Sequence, residues 1–90
     1  MTPGRYRVEL ERKAHHELLE LPKAIVQRLA SVIDDMEENP RPPGAKKLKG
    51  QEWYRIRQGD YRILYTIHDK EHIVRIYRIG QRREIYRGIQ

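Results

Sequence analysis

The segments Trp53-Tyr54-Arg55-Ile56-Arg57, Tyr61-Arg62-Ile63-Leu64-Tyr65 and Gly80-Gln81-Arg82-Arg83-Glu84-Ile85-Tyr86 set arginines beside aromatic and β-branched residues. A guanidinium presents a planar fork of donors that matches phosphate oxygens, so a row of them on one face of a sheet is a means of gripping an RNA backbone. Arg55 and Arg57 are two residues apart and share a face of their strand, and a hairpin brings Arg62 into the same neighbourhood. Like charges that close repel one another unless an anion sits between them. The same residues also fit a plain charged surface that keeps a sheet soluble, and the pattern alone leaves both readings open, because arginine is abundant along the whole chain.

Arg82 and Tyr86 are four residues apart after Gly80, so a helical turn would stack them on one side. A tyrosine ring is a platform for an unstacked base and its hydroxyl can take part in proton transfer; equally, Tyr86 could cover the sheet edge as a half-buried aromatic. Ala45-Lys46-Lys47-Leu48-Lys49-Gly50 is a second basic cluster. It reads as a solvated loop or, beside the arginines, as the extension of a basic groove, with Lys47 and Lys49 able to reach a phosphate. His15-His16-Glu17-Leu18-Leu19-Glu20 has the start of a zinc-protease helix but Glu at the position where that motif needs its second His, so no metal site is expected. Neither a glycine-rich phosphate loop nor a Gly-x-Ser-x-Gly elbow is present, which removes support for NTPase and serine hydrolase readings.

The elements that must position these groups follow from periodicity. Residues 5–10 alternate, with Tyr6, Val8 and Leu10 on one face, and predict an opening strand. From Glu11 to Leu21 the period becomes helical, through Ala14, Leu18 and Leu21 with Leu19 widening the stripe. Pro22 suits the first turn of a second helix, whose stripe is Ile25, Leu29, Val32, Ile33 and Met36. The prolines of Asn39-Pro40-Arg41-Pro42-Pro43-Gly44 end that helix. Strands follow at about 52–57, 61–68 and 72–79, joined by links short enough for antiparallel hairpins, and residues 82–87 form a last helical turn or strand. The expected fold is α+β, a single domain over residues 1–90 in the order β-α-α-β-β-β, with a helical hairpin on one face of an antiparallel sheet. That hairpin needs an apolar sheet face to cover, for which Ile63, Ile67, Ile73, Tyr77 and Ile79 are the expected residues.

Length and charge agree with this assignment. Ninety residues make one domain, and a large substrate cavity is not expected. The net charge of +6 is unevenly placed: residues 1–40 hold six Lys+Arg and eight Asp+Glu, whereas residues 41–90 hold thirteen and five. The positive field therefore belongs to the half that carries the arginine segments and points to a polyanionic or acidic partner. The absence of cysteine excludes thiol redox chemistry and a disulfide framework. No stretch resembles a signal peptide or approaches the length of a membrane span, so a cytoplasmic protein with no membrane partner is expected.

In combination, Leu18-x-x-Leu21-Pro22, Leu48-Lys49-Gly50, Trp53-Tyr54-Arg55-Ile56-Arg57, Asp60-Tyr61-Arg62-Ile63-Leu64-Tyr65 and Gly80-x-Arg82-Arg83-x-x-Tyr86 resemble the RelE/ParE superfamily of type II toxins, and more closely its RelE branch of mRNA interferases. The resemblance implies a toxin that cuts mRNA in the ribosomal A site without a metal or other cofactor. It also implies a cognate antitoxin as inhibitor, with operator DNA met only through the antitoxin complex. By position it assigns Arg62, Arg82 and Tyr86 to catalysis, and Arg55 and Arg57 to holding the RNA backbone; from their place in the basic segments, Lys47, Lys49 and Arg83 are expected to add to RNA binding. Arg55 and Arg57 stand where the best-known members have lysines, and an arginine stays protonated and is a poor base. The general base is left open among Lys47, Lys49, Glu84 and a ribosomal RNA group. Two other readings share the fold: a ParE-like gyrase inhibitor, and a paralogue that binds RNA or antitoxin without cutting.

Overall fold

The opening alternation folds as strand β1 (Arg7–Leu10), followed by helices α1 (Arg12–Leu19) and α2 (Lys23–Asp35) and by strands β2 (Lys46–Lys47), β3 (Tyr54–Gln58), β4 (Tyr61–His68) and β5 (Ile73–Gln81). The computed structural model describes residues 5–50 and 52–81. The strands lie in the order β1-β5-β4-β3-β2. From β2 to β5 the sheet is antiparallel as expected, but β1 runs parallel to β5, and the lysine segment supplies a fifth strand where a loop was expected. The sheet is therefore mixed. A parallel pair needs a long excursion between its members, and the helices and connector provide it, whereas hairpin spacing reports only antiparallel neighbours.

Pro22 sits at the N-cap of α2, one residue before the helix, where its carbonyl accepts the amides of Ile25 and Val26 at 2.9 and 3.0 Å. Leu29 and Ile33 of α2, Met36 at its C-cap and Ala14 of α1 are buried against the sheet, with Leu18, Leu21, Ile25 and Val32 partly so. Leu19 leaves the stripe and is 64% exposed. From the sheet come Ile56, Ile63, Tyr65, Val74, Ile76 and Ile79. Each fully buried aliphatic side chain contributes about 1.5–3 kcal/mol relative to exposure, and these elements depend on that packing, since α1 has only eight residues and no side-chain N-cap.

Two expected core residues, Ile73 and Tyr77, are not in the core, and Val74 and Ile76 take their place. The cause is a bulge in β5. Leu64 faces Arg78 and Tyr65 faces Ile76, so Tyr77 has no partner on β4. The extra residue reverses the in–out alternation behind it. A strict period of two counted back from Ile79 puts Tyr77 and Ile73 inward; the bulge turns both away and brings Ile76 and Val74 in.

A polar knot closes one end of the sheet. Arg41, from the proline-rich connector, forks onto Asp69 in the β4–β5 turn with distances of 3.2 and 2.9 Å, and its Nε donates to Tyr54 Oη at 3.1 Å. Tyr6 Oη also donates to Asp69, and Tyr65 Oη donates to the Pro40 carbonyl at 2.8 Å. The guanidinium, helped by Tyr6, holds the Asp69 carboxyl down at about 2, and burial beside Tyr54 pushes the Tyr65 hydroxyl up to about 12. The connector is thus tied to β3, β4 and the turn, and the helices stay over one face. Among the described residues no helix covers the opposite face, called the open face below.

Candidate nucleic-acid interface

The pairing register sorts the basic residues by face. Ile56 and Ile63 are opposite each other and point into the core, so their neighbours Arg55, Arg57, Arg62 and Leu64 point to the open face. Arg57 stands directly opposite Arg62, and Arg55 opposite Leu64. Gly80 of β5 lies on the other side of Arg62 and leaves that flank without a side chain. The three arginines expected to share a face do share it.

What sets these three apart is their lack of partners. Among the described residues, Arg5 pairs with Glu37, Arg7 with Glu9, Arg41 with Asp69, Arg75 with Glu9 and Glu11, and Arg78 with Glu17. Arg55, Arg57 and Arg62 have no carboxylate within reach among the described residues; the other described arginines without one, Arg12 and Arg28, are exposed on the helices. The Nε atoms of Arg55 and Arg62 are buried and make no hydrogen bond. A buried charged donor without an acceptor is costly, and like charges directly opposite on paired strands add to that cost. An anion settling between the guanidinium groups would relieve both.

The lysine cluster divides by the same register. Lys46 pairs with Arg55 and so belongs to the open face, whereas Lys47 pairs with Tyr54 and its Nζ lies 4.0 Å from the Glu52 carboxylate. Lys49 is exposed in the turn after β2. Lys47 and Lys49 are the lysines expected from the sequence, and Lys46 is not among them, because a two-residue strand in a lysine run gives no periodic signal. Arg82, Arg83, Glu84 and Tyr86 lie outside the described residues. Among the described residues no set of three or more His, Asp or Glu side chains converges to hold a metal ion. His15 and His16 are exposed on α1, His16 lying 3.9 Å from Glu20.

Sequence reasoning also missed the anchoring of β5. Beyond the end of β1 the edge of β5 is taken over by α1, whose Glu17 accepts the Ile79 amide at 2.9 Å and binds Arg78 through Nε at 3.0 Å and Nη2 at 2.9 Å. This fixes the strand segment that leads through Gly80 and Gln81. Beside it an open groove of about 310 Å³ is lined by Glu17, Glu20, Leu21, Tyr61, Ile79 and Gln81, among others.

A five-stranded mixed sheet under a helical hairpin is the architecture of the RelE/ParE superfamily of type II toxins. The RelE–RelB complex of Pyrococcus horikoshii contains a chain 32% identical, with a TM-score of 0.79 over 88% of this chain and 97% of that one. The RelBE2 toxin–antitoxin complex of Mycobacterium tuberculosis gives 28% identity and a TM-score of 0.77 over 87% and 99%. The RelE1 toxin candidate of Methanocaldococcus jannaschii is 29% identical over 93% of this chain and 98% of its own length. The model of the ParE toxins of type II toxin–antitoxin systems, parDE, matches residues 8–86, and the chain belongs to that family.

Proposed function

We propose that this toxin is a ribosome-dependent mRNA endoribonuclease. The observation that carries the reading is the sorting of its arginines: among the described residues, those of β1 and β5 are paired with carboxylates, and the three of β3 and β4 are not. Charge left unpaired at mutual close range is suited to a polyanion whose phosphates sit between the guanidinium groups.

In the proposed reaction a ribose 2′-oxygen bonds to the adjacent phosphorus, the bond from phosphorus to the 5′-oxygen breaks, and the proton lost by the 2′-hydroxyl is balanced by one gained at the departing oxygen. Arg62, flanked by Gly80 and facing Arg57, stabilises the added negative charge on the phosphoryl oxygens. Arg55 and Arg57 hold the backbone in register. Arg82 and Tyr86 are assigned by the family resemblance to the leaving oxygen and to stacking of the nucleotide. The relatives in complexes with RelB support a cognate antitoxin as this toxin's inhibitor; action in the cytoplasm and contact with operator DNA through that complex belong to the same proposal.

The test is primer extension on an mRNA programmed into purified ribosomes and on the same mRNA free in solution. Cuts on the ribosome that disappear with Arg62→Ala support the reading; retained cutting by that variant removes Arg62 from the chemistry. The match to the ParE family favours a second reading, inhibition of DNA gyrase. Absence of cleavage in both settings, together with loss of supercoiling activity in a gyrase assay, would establish that reading instead.

A further inference from the structure

The open face carries a second feature that the arginine cluster does not explain. Trp53, one residue before β3, continues the pairing of that strand, since its carbonyl accepts the Leu48 amide at 2.8 Å. It lies level with Thr66 and meets Tyr77 across β4, with ring centroids 4.5 Å apart and the planes at 78°. Tyr77 is available for this contact because it is the bulge residue of β5 and is turned out of the core. Leu64, between them on β4, is fully buried although it belongs to the open face. The indole is thus held edge to face against Tyr77 and remains half-buried.

Position along the strand relates this pair to the arginines. Trp53 is two residues from Arg55 on the same face, a rise of about 6.6 Å, comparable to the distance from a phosphate to the base of its own nucleotide. Arg55, Arg57 and Arg62 stand toward the β3–β4 turn with no carboxylate partner among the described residues; past Leu64, which faces Arg55, lie Trp53 and Tyr77, and the arginine level with them, Arg75, is paired with Glu9 and Glu11. That arrangement matches a nucleotide lying along β3 with its phosphate on the guanidinium groups and its base on the ring of Trp53. Stacking on an aromatic ring is tolerant of base identity, and a rigid indole gives up little conformational freedom on binding.

We infer that Trp53, propped by Tyr77, is a nucleobase seat for single-stranded RNA and positions the nucleotide whose phosphate the arginine cluster holds. The inference rests on the RNA reading above and deepens it. Trp53 is the only tryptophan in the chain, so fluorescence excited at the red edge of tyrosine absorption reports on this ring alone. The full chain is titrated with hexaadenylate RNA and, separately, with inorganic tripolyphosphate; RNA binding is followed independently by anisotropy of an end-labelled hexaadenylate. The expected result is quenching of Trp53 by the RNA with the midpoint that anisotropy gives, and no quenching by tripolyphosphate, which competes for the arginines without a base. Trp53→Leu weakens RNA binding about tenfold and leaves tripolyphosphate binding unchanged, and Trp53→Phe, which keeps an aromatic face and the Tyr77 contact, recovers most of the loss. Binding by anisotropy with unchanged Trp53 emission, and with full affinity in Trp53→Phe and Trp53→Leu, would overturn the seat and leave the RNA interface standing. No binding of hexaadenylate by either readout would overturn both.

Discussion

Glu17 and Ile79, 62 residues apart in the chain, are joined by a 2.9 Å hydrogen bond from the Ile79 amide to the Glu17 carboxylate. The same carboxylate binds Arg78, and both side chains are mostly shielded, 16% and 22% exposed. Shielding makes removal of one partner expensive, because the Ile79 amide then has no acceptor and Arg78 loses this ion pair in a poorly solvated place. Glu17→Ala is expected to lower unfolding free energy by about 2–4 kcal/mol. Glu17→Gln keeps an acceptor for the amide and loses only the charge, so its cost in urea unfolding is expected to be roughly half as large. Equal costs for the two would mean that the amide hydrogen bond contributes little.

The Arg57–Arg62 pair leads to the opposite expectation for stability. Two like charges directly opposite on paired strands cost about 0.2–1 kcal/mol, so Arg57→Ala is expected to leave the fold equally stable or slightly more stable. If the pair is maintained for an anion, the same variant weakens RNA binding and cleavage. Urea midpoints and ribosomal cleavage measured on one preparation decide this, and the idea fails if Arg57→Ala destabilises the fold and leaves cleavage untouched.

The adjacent lysines allow a sharper comparison. Lys46 stands beside Arg55 on the open face, whereas Lys47 is on the other side of the strand near Glu52. On a single strand each phosphate contact contributes about 0.7 to the slope of log affinity against log salt. Lys46→Ala is expected to reduce that slope by about this amount for a short RNA, and Lys47→Ala to leave it nearly unchanged. The reverse order would place the RNA on the helix-covered side and contradict the interface described above.

The sequence carries the open face well where alternation is regular and poorly where it breaks. Tyr61–His68 is a strand from end to end as expected, and Arg55, Arg57 and Arg62 share a face because nothing disturbs the period between β3 and β4. One unpaired residue, Tyr77, moves Ile73 out and Ile76 in, and no residue type marks it: a bulge is fixed by the fit of two strands, not by either one. Lys46 and Glu17 were overlooked for a related reason. Their roles depend on what lies across from them, a neighbouring strand for one and a free strand edge for the other, and neither relationship has a local signature. The parallel pairing of β1 likewise follows from which sheet edge is vacant.

Asp69 links the acid stability of the fold to the polar knot. Arg41 and Tyr6 hold its carboxyl at about 2, against an ordinary value of 3.8. A depressed carboxyl means that the unfolded chain takes up its proton first as pH falls, so this contribution is complete above about pH 4 and is lost progressively towards pH 2. Asp69 is exposed, and solvent screening keeps the effect modest. Urea midpoints followed from about pH 5 to 2 are expected to fall in that window. Asp69→Asn keeps acceptors for Arg41 and Tyr6 but cannot titrate, so it is expected to start from a lower midpoint and to show a flatter profile. Because Glu9 is also held below its ordinary value by Arg75 and Arg7, some slope is expected to persist in Asp69→Asn and to diminish further in Glu9→Gln/Asp69→Asn. A single variant as steep as the parent through this window would show that the knot does not transmit the titration of Asp69 to the fold.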